Sequence, residues 1–568
     1  MKLLLALLLV FAEKDSVDRI VADTWQHQVA ISPTLRLQEG LPVEELPELS
    51  DKAWRREVAF ARGILDRLAK IDTASLSHED WLDHAVLQWE MEQTVASGDH
   101  LDLDVQITPY AFPLRQTHEV FTRHTFASPE DAARYLRLLR QYPRYIGQIQ
   151  ARAEGQRAKG ILIPRHTVDQ MVPLIRAFIQ PPERSLFTVA PERLGTLEKK
   201  EAFAAQVAKI IQEEINPSLE RLAAMLDGDY RKQAPEAVGI SQYPGGPEGY
   251  RFLVRQHTGL NVTPEEVHRR GLEEVARLEA RMAEIRKQVG FTGTQREFNE
   301  KLRSDPRFLA RTPEEVGERL MAPVRKIEPL IGKYFLRTPK APYGVKRLDP
   351  ALEASMTFGF YQQPMPTDPS GWYLFNGSKL DQRPLAGAAA LIYHELLPGH
   401  HFQIALQQEN QSLPPLRRNL YHTAFVEGWA EYASELGIEM GLYDDPYALY
   451  GRLAMDMFLS NRLVVDTGMN ALGWPRSKAV EFMRERLLET DVQIDSETLR
   501  YSTSIPGQAL AYKMGSAKIW ELRRRAEREL GPKFDLRQFH EAVLGNGSLP
   551  LSVLERHIDW WIAQQKGR

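Results

Sequence analysis

The 568-residue sequence contains no cysteine. This absence excludes disulfide bonds, metal sites with cysteine ligands and lipid attachment through cysteine. Any metal ion that this chain binds must therefore be held by histidine and carboxylate side chains.

The chain also lacks a large excess of charge and, beyond its first residues, any long apolar run. The net charge is −4 and 26% of the residues are charged, with no basic stripe of the kind that nucleic-acid binding requires. Residues 1–12 carry one lysine followed by nine apolar residues and then Ala12, which is typical of a short secretory signal peptide and too short for a stable membrane span. We therefore expect an exported protein, periplasmic or extracellular, with no nucleic-acid partner and no stable membrane span beyond this leader.

The length and the helical periodicity predict a mainly α-helical fold with two lobes and a cleft between them, because 568 residues exceed what one hydrophobic core usually supports. Thr263 and Thr312 are each followed by proline and, three residues on, by glutamate, a pattern that marks the start of a helix. The turn-rich segment 235–249 predicts a boundary between an N-terminal helical scaffold lobe (13–234) and a catalytic, metal-binding lobe (250–568).

The helical pattern fails between residues 338 and 384, where proline and glycine are frequent. Two β-prone runs, 355–361 and 372–375, predict a small β-hairpin near the active site. One interpretation is an edge strand that pairs with an extended substrate. The other is a loop that covers the core.

The segment 393–401 places the pairs His394-Glu395 and His400-His401 on either side of Leu-Leu-Pro-Gly. In the usual zinc-peptidase helix two histidines lie at i and i+4, and the glutamate after the first is the general base. Here position i+4 is Pro398, so the helix must break for two histidines to reach one ion. Either His400 or His401 could be the second ligand, and we favour His400 because Gly-His also closes the undistorted motif.

A third ligand is predicted at Glu427, 26 residues after His401. Two histidines and one glutamate leave one position open, which is typical of catalytic rather than structural zinc. Glu395 would then be the general base that activates water, and Glu431 would support a ligand histidine. The alternative is buried polar packing without a metal.

Two later segments also suggest function. Gln508 and Tyr512 lie at i and i+4, which predicts two hydrogen-bond donors to the oxyanion of a tetrahedral intermediate. A tyrosine that is only packed in the core, with its hydroxyl hydrogen-bonded, is equally consistent with this spacing. Arg462 could grip a substrate carboxylate or form a buried structural pair with Asp466, the interpretation that we favour. Lys513 is a further candidate for binding a C-terminal carboxylate.

Four ordered motifs together resemble those of the DUF885 family of bacterial proteins. They stand at 394–401, 427–432, 466–468 with 473–474, and 506–513. The resemblance implies a zinc peptidase with mostly helical architecture, like the angiotensin-converting and oligopeptidase enzymes. It implies that His394, His400 and Glu427 bind zinc, that Glu395 is the base and that Tyr512 lies in the cleft. Family members often carry histidine where this chain has Asn470, so specificity differs here if that histidine contacts substrate.

These observations predict a zinc-dependent hydrolase that cleaves short or extended peptides, with a carboxypeptidase or dipeptidyl carboxypeptidase as a finer hypothesis. A zinc-dependent amidase or deacylase acting on a small amide is one alternative. A non-catalytic helical binding protein with a decayed site is the other, although the intact Glu395 argues against it.

Overall fold

Helices make up most of the computed structural model, which describes residues 15–110, 113–195, 197–353 and 359–567. The predicted signal peptide, residues 1–12, lies outside these ranges. Within them, no helix is long and apolar enough to cross a membrane.

The α-helices of the first part of the chain all precede the predicted boundary segment. They are α1 (Val17–Ile31), α2 (Pro33–Gln38), α3 (Asp51–Leu68), α4 (His78–Ser97), α5 (Pro113–Thr122), α6 (Pro129–Ala158), α7 (Arg165–Ala177), α8 (Lys200–Ile210), α9 (Asn216–Met225) and α10 (Arg231–Gln233).

The remaining α-helices surround the metal motif or carry it. They are α11 (Gly246–Thr258), α12 (Pro264–Gln288), α13 (Gln295–Ser304), α14 (Pro313–Ile327), α15 (Ile331–Tyr334), α16 (Pro350–Glu353), α17 (Ala388–Glu395), α18 (His400–Glu409), α19 (Pro415–Arg418), α20 (Thr423–Leu436), α21 (Pro446–Asn470), α22 (Arg476–Arg484), α23 (Asp491–Leu499), α24 (Ala511–Leu530), α25 (Leu536–Leu544) and α26 (Leu551–Gly567).

Both predicted helix starts are confirmed. The Thr263 side chain accepts a hydrogen bond from the Glu266 amide, and the Glu266 carboxylate accepts one from the Thr263 amide. The Thr312 side chain likewise accepts a hydrogen bond from the amide of Glu315 at the start of α14. These bonds satisfy amides that have no partner within the first turn of a helix.

A three-stranded sheet interrupts the helices just before α17. Its strands are β1 (Tyr343–Arg347), β2 (Gly359–Gln362) and β3 (Gly371–Phe375), in the order β1-β3-β2. β2 and β3 pair antiparallel, which confirms the predicted hairpin, although residues 355–358 of the first predicted run lie outside the described ranges. β1 pairs parallel with β3 and was not predicted. Its sequence, Tyr-Gly-Val-Lys-Arg, has no clear alternation of apolar and polar residues.

Two of the larger buried cores lie in different parts of the sequence. One is built wholly from residues between Val43 and Ala234. The other surrounds α17, α20 and α24 and also takes in Leu82, Ala85 and Val86 from α4. The division into lobes at residues 235–249 stays a prediction, and α11 begins within that segment, at Gly246.

Candidate metal centre

The metal motif is split between two helices. α17 ends at Glu395 and α18 begins at His400, with non-helical backbone at Leu396 (φ −110°, ψ −95°) and Gly399 (φ −81°, ψ −127°). A Cβ atom on Gly399 would lie 1.9 Å from the carbonyl oxygen of His394, so only glycine fits this close return of the chain. The break predicted from the intervening Pro-Gly pair is confirmed.

The break brings together His394, His400 and Glu427, whose ligand atoms all lie within 4.8 Å of one another. Oε2 of Glu427 is 3.5 Å from Nε2 of His394 and 3.2 Å from Nε2 of His400. Two atoms that are each about 2.0–2.1 Å from a tetrahedral zinc ion lie about 3.3 Å apart. The spacing of the three donors therefore fits one ion.

His401 does not join this cluster. Its Nε2–H donates to the carbonyl oxygen of Ala341 at 3.1 Å, and its Nδ1 accepts from the hydroxyl of Tyr361 at 3.0 Å. Burial lowers the pKa of His401 to about 4, so the ring is neutral and ties the sheet to α18. Of the two candidates for second ligand, His400 is the one that the fold brings to His394.

The cluster is buried and incompletely hydrogen-bonded. His394, His400 and Glu427 are 3%, 7% and 7% exposed. Oε2 of Glu427 and Nδ1 of both histidines have no hydrogen-bond partner among the described residues. Buried polar atoms normally have partners because leaving them unpaired costs free energy. A bound cation would satisfy Glu427 and draw on the two Nε2 atoms.

The electrostatics keep Glu427 in its ligating form. Burial by itself would raise the pKa of this carboxyl, but His400 and His394 outweigh burial and hold the pKa well below its usual range. Glu427 is therefore ionised, as a metal ligand must be.

Glu431, one turn beyond Glu427, lies behind the first histidine. Its Oε2 is 3.6 Å from Nδ1 of His394, and its other carboxylate oxygen pairs with Arg452. Arg452 also donates to the hydroxyl of Ser434 at 2.9 Å. Burial would raise the pKa of Glu431, but the Arg452 charge outweighs it and lowers the pKa to about 2. An ionised carboxylate thus faces Nδ1 of His394, in the position that outer partners of metal ligands take.

Glu395 lies beside the cluster at the end of α17 and faces a cleft of about 1030 Å³. Burial raises the pKa of its carboxyl, while the charges of His394 and His400 act in the opposite direction. No described residue forms a hydrogen bond or ion pair with this carboxylate, so it is available to a molecule in the cleft. A raised carboxyl pKa suits a group that takes and returns a proton.

The cleft lies between parts of the chain that are far apart in sequence. Its described lining includes β2, the loop 378–385, faces of α21 and α23, and, from the N-terminal part, Tyr110 and Gln170. The metal cluster and Glu395 open into it.

Tyr512 lies in the cleft beside the cluster. Its ring is 6.1 Å from that of His394 and nearly parallel to it, at 12°. Tyr512 belongs to α24, and the guanidinium carbon of Arg462 lies 4.6 Å from the centroid of its ring. Burial raises the pKa of the Tyr512 hydroxyl, so it is a neutral hydrogen-bond donor.

Arg462 lines the cleft, but its charge is already paired. It donates to the Tyr501 hydroxyl at 2.7 Å and to Oε2 of Glu497 at 3.1 Å. The predicted pairing of Arg462 with Asp466 is therefore wrong, although Arg462 does form a buried ion pair. Asp466 instead accepts from the Tyr250 hydroxyl at 2.6 Å and the backbone amide of Gly507.

Gln508 and Lys513 are not brought to the cleft. Gln508 stands in a 3₁₀ turn before α24 begins, and its side-chain oxygen accepts from Arg500. Lys513 is buried in an ion pair with Asp456 and lies 3.4 Å from Glu274. One step along an α-helix rotates the side chain by about 100°, so the residue after Tyr512 points elsewhere.

Tyr421 is a cleft residue that sequence reasoning missed. Its hydroxyl donates to Oε1 of Glu427 at 3.4 Å, while the side chain is 54% exposed. Tyr421 precedes α20 and belongs to none of the four motifs, so only its nearness to Glu427 could have drawn attention to it.

The departure at Asn470 lies outside the cleft lining. Asn470 is fully buried, donates to the carbonyl oxygens of Asp466 and Tyr501, and accepts from the amide of Ile240 at 3.0 Å. In this part of the motif Gly468 lies against the ring of Trp474, where a Cβ atom would be 2.7 Å from Cδ2. The motif at 466–474 therefore holds the helices together here.

Two solved structures share this fold over almost the whole chain. A candidate lipoprotein from Colwellia psychrerythraea is 25% identical, with a TM-score of 0.88 and coverage of 96% of this chain and 99% of that one. A candidate lipoprotein of unknown function from Shewanella oneidensis is 17% identical, with a TM-score of 0.73 and coverage of 95% and 99%. The M32 carboxypeptidase from Deinococcus radiodurans R1 is 12% identical, with a TM-score of 0.32 and coverage of 91% of this chain and 98% of that one.

No curated protein matches the sequence. The profile of DUF885, described as a bacterial protein of unknown function, matches residues 33–558. Since this match spans nearly the whole chain, the protein belongs to the DUF885 family.

Proposed function

We propose that this protein is a zinc-dependent hydrolase that cleaves peptide bonds of short or extended peptides. The observation that carries the proposal is the buried cluster of His394, His400 and Glu427 beside the unpaired carboxylate of Glu395 in a large cleft. Two histidines and one glutamate are the donor set of catalytic zinc sites.

His394, His400 and Glu427 would hold the ion. Zinc in such a site supplies a Lewis acid that polarises a carbonyl group and makes water more acidic. Glu395 takes a proton from the attacking water and returns it to the leaving amine. The Tyr512 hydroxyl donates a hydrogen bond to the oxygen that becomes negative as the carbonyl carbon turns tetrahedral.

The edge strand β2 supports an extended substrate. β2 pairs on one side with β3, and its residues Gly359, Phe360 and Tyr361 line the cleft. A peptide lying along the other side of β2 would gain backbone hydrogen bonds that do not depend on its sequence. Such a peptide also suits a cleft of about 1030 Å³ better than a single small amide does.

We also propose that the protein is exported, with residues 1–12 as signal peptide. The apolar leader supports this, and so does the similarity to two proteins described as candidate lipoproteins. Appearance of the protein outside the cytoplasm in a fractionated culture, lost on deletion of residues 2–12, would test this.

The metal is tested by elemental analysis of purified wild type, His394→Ala and Glu427→Ala. We expect about one zinc ion per chain in the wild type and loss of zinc in both variants. His401→Ala is the matched control, since its ring bonds Ala341 and Tyr361, and it should retain zinc. A wild type without stoichiometric metal in chelator-free buffer would favour a non-catalytic binding protein.

The reaction is tested with peptides of graded length against simple acyl amides. We expect turnover of peptides and its loss, by about 10²- to 10⁴-fold in kcat, in Glu395→Gln with zinc content unchanged. Full activity of Glu395→Gln would contradict the mechanism. Turnover of the acyl amides alone would favour an amidase or deacylase.

A further inference from the structure

We propose that Arg383 binds a carboxylate group of the substrate and thereby makes the cleft selective for anionic peptides. The proposal rests on the proposed peptidase function and deepens it. It concerns a residue in the loop 378–385, which forms one wall of the cleft immediately before α17.

Three other arginines line the cleft, and the protein itself supplies acceptors for each of them. Arg462 pairs with Glu497, whose other oxygen is 3.5 Å from Arg500. Arg303 donates to the carbonyl oxygens of Leu488 and Glu489. Each of these three arginines is thus bound to acceptors of the protein.

Arg383 differs from them. Among the described residues, its one hydrogen bond runs from Nε to the carbonyl oxygen of Ser378, at 2.8 Å, and no carboxylate lies within ion-pair distance. Its two terminal nitrogens thus have no partner among the described residues, in a side chain that lines the cleft. A planar guanidinium with both terminal nitrogens available matches the two oxygens of a carboxylate.

The acidic residues nearby offset this charge only in part. Glu353 is bound by Arg347 at 2.8 and 3.0 Å and by the amide of Gly377 at 2.7 Å, so its oxygens are occupied. Asp381 stands on the same loop but is exposed and forms no ion pair with a described residue. Burial lowers the pKa of Arg383, and the charge of Glu353 acts in the opposite direction without cancelling that effect.

The loop holds the guanidinium in a defined place. Oδ1 of Asn376 accepts from the amide and the hydroxyl of Ser378, at 2.9 and 2.7 Å. Lys379 follows in the left-handed region with φ 49°, which a residue other than glycine seldom adopts. The carbonyl that orients Arg383 is therefore itself fixed, so little side-chain freedom remains to be lost when a carboxylate binds.

Arg383 also shares its cleft with the reacting groups. Both Arg383 and Glu395 line the same cleft. Both charges also act on the hydroxyl of Tyr373, Glu395 raising its pKa and Arg383 lowering it, with burial the larger cause of its raised value. The bound carboxylate could be the C-terminus of a peptide or an acidic side chain.

The test compares Arg383→Met with wild type on matched peptides. One pair has a free or an amidated C-terminus, and the other carries glutamate or glutamine at one position. We expect Arg383→Met to raise KM for the anionic member of one pair by about 10- to 100-fold, with little change for the neutral member, and Arg383→Lys to restore part of the loss. Loss in the first pair assigns the C-terminal carboxylate, and loss in the second assigns the side chain.

Lys379→Met is the control, because Lys379 is an exposed cation on the same loop. Equal loss in Lys379→Met would show that the general positive potential selects the anion, and would overturn the proposal. So would an Arg383→Met variant that keeps the wild-type preference. Thermal melting followed by circular dichroism checks that both variants are folded.

A binding measurement separates this proposal from the peptidase function. Acetyl-Ala-Ala and its C-terminal amide, and acetyl-Glu-amide and acetyl-Gln-amide, are titrated calorimetrically into wild type and Arg383→Met. Binding of an anionic member that is lost in Arg383→Met, in a protein that cleaves no peptide, would support the anion site and refute the peptidase. Peptide cleavage by a protein in which neither KM nor ligand binding depends on Arg383 would support the peptidase and refute the anion site.

Discussion

Gly428 and Gly515 lie back to back where α20 crosses α24. A Cβ atom on Gly428 would be 2.5 Å from Cα of Gly515, and a Cβ atom on Gly515 would be 2.0 Å from the carbonyl oxygen of Ala424. The two helices therefore touch through their backbones. Gly428 follows Glu427 and Gly515 lies three residues after Tyr512, so this contact helps to set the distance between the candidate metal ligand and the cleft tyrosine.

Gly515→Ala should push the two helices apart. Because the clash is with backbone atoms, which cannot rotate away, we expect the free energy of unfolding to fall by about 1–3 kcal/mol and zinc affinity to fall with it. Chemical denaturation and metal content would measure both effects.

Gly155→Ala is the matched control for this substitution. Gly155 also lies within a helix, α6, but a Cβ atom there meets nothing within 4 Å. Alanine favours helix over glycine by up to about 1 kcal/mol, so this variant should be as stable as wild type or more so. If Gly515→Ala were also as stable as wild type, α20 and α24 could accommodate an extra methyl group, and the argument from their backbone contact would be wrong.

Glu431→Gln should weaken zinc binding without removing a ligand. Glu431 faces Nδ1 of His394 at 3.6 Å, and loss of such an outer partner typically costs about 10- to 100-fold in metal affinity. Competition with a chelator would measure the change. Glu435→Gln is the control one turn further on, since that carboxylate accepts from Trp520 at 2.8 Å and should leave the affinity unchanged. Equal effects of the two variants would assign the loss to helix stability.

Tyr512→Phe should lower kcat by about 10²- to 10³-fold and leave zinc bound, because the hydroxyl is the donor assigned to the developing negative charge. Steady-state kinetics with elemental analysis would show this. Tyr432→Phe is the control, since the Tyr432 hydroxyl bonds the buried ring of His540. A normal kcat in Tyr512→Phe together with a large loss in Tyr421→Phe would transfer the role to Tyr421.

Acid should destabilise the protein through buried neutral histidines such as His540. Its Nδ1–H donates to the carbonyl oxygen of Tyr334 and its Nε2 accepts from Tyr432, so both nitrogens are used in the neutral form. Burial lowers the pKa of His540 to about 3, against an ordinary value near 6.5. Between these pH values the unfolded chain binds one more proton than the folded chain, so stability falls as the pH falls.

His540 alone would account for up to about 3 kcal/mol between pH 6.5 and pH 4. We expect the free energy of unfolding of His540→Gln, measured by denaturant titration, to depend less steeply on pH over this range than that of wild type. Parallel pH curves for the two proteins would show that another buried histidine dominates.

Much of the site could be predicted from the sequence because the relevant rules are local. Pro398 removes the hydrogen bond that would reach back to residue 394, and Gly399 tolerates backbone angles that other residues avoid, so a break between the two histidine pairs was favoured. The caps at Thr263 and Thr312 are likewise short-range hydrogen bonds between residues three apart. The chemistry of the ligands followed from the absence of cysteine and the spacing of histidine and glutamate.

The partners of the charged residues could not be predicted in this way. Arg462 was paired with Asp466 by helical spacing, but its carboxylate partner, Glu497, is 35 residues away. Lys513 is a candidate for substrate binding from the sequence, but in the structure it is paired with Asp456, which lies 57 residues away. Arg383 belongs to none of the four motifs, and a sequence does not show whether an arginine lacks a counter-ion in the folded protein.

By itself, the sequence determined that the protein is mainly helical, that a helix breaks inside the metal motif and that histidine and carboxylate would be the ligands. Only the tertiary structure decided between His400 and His401, because the two are neighbours in sequence and differ in what surrounds them. The ring of His401 is hydrogen-bonded to Tyr361 of β2 and to the carbonyl oxygen of Ala341, just before β1. The ring of His400 is instead met by Glu427 from α20. Such choices depend on contacts between distant segments, and periodicity and spacing carry no information about them.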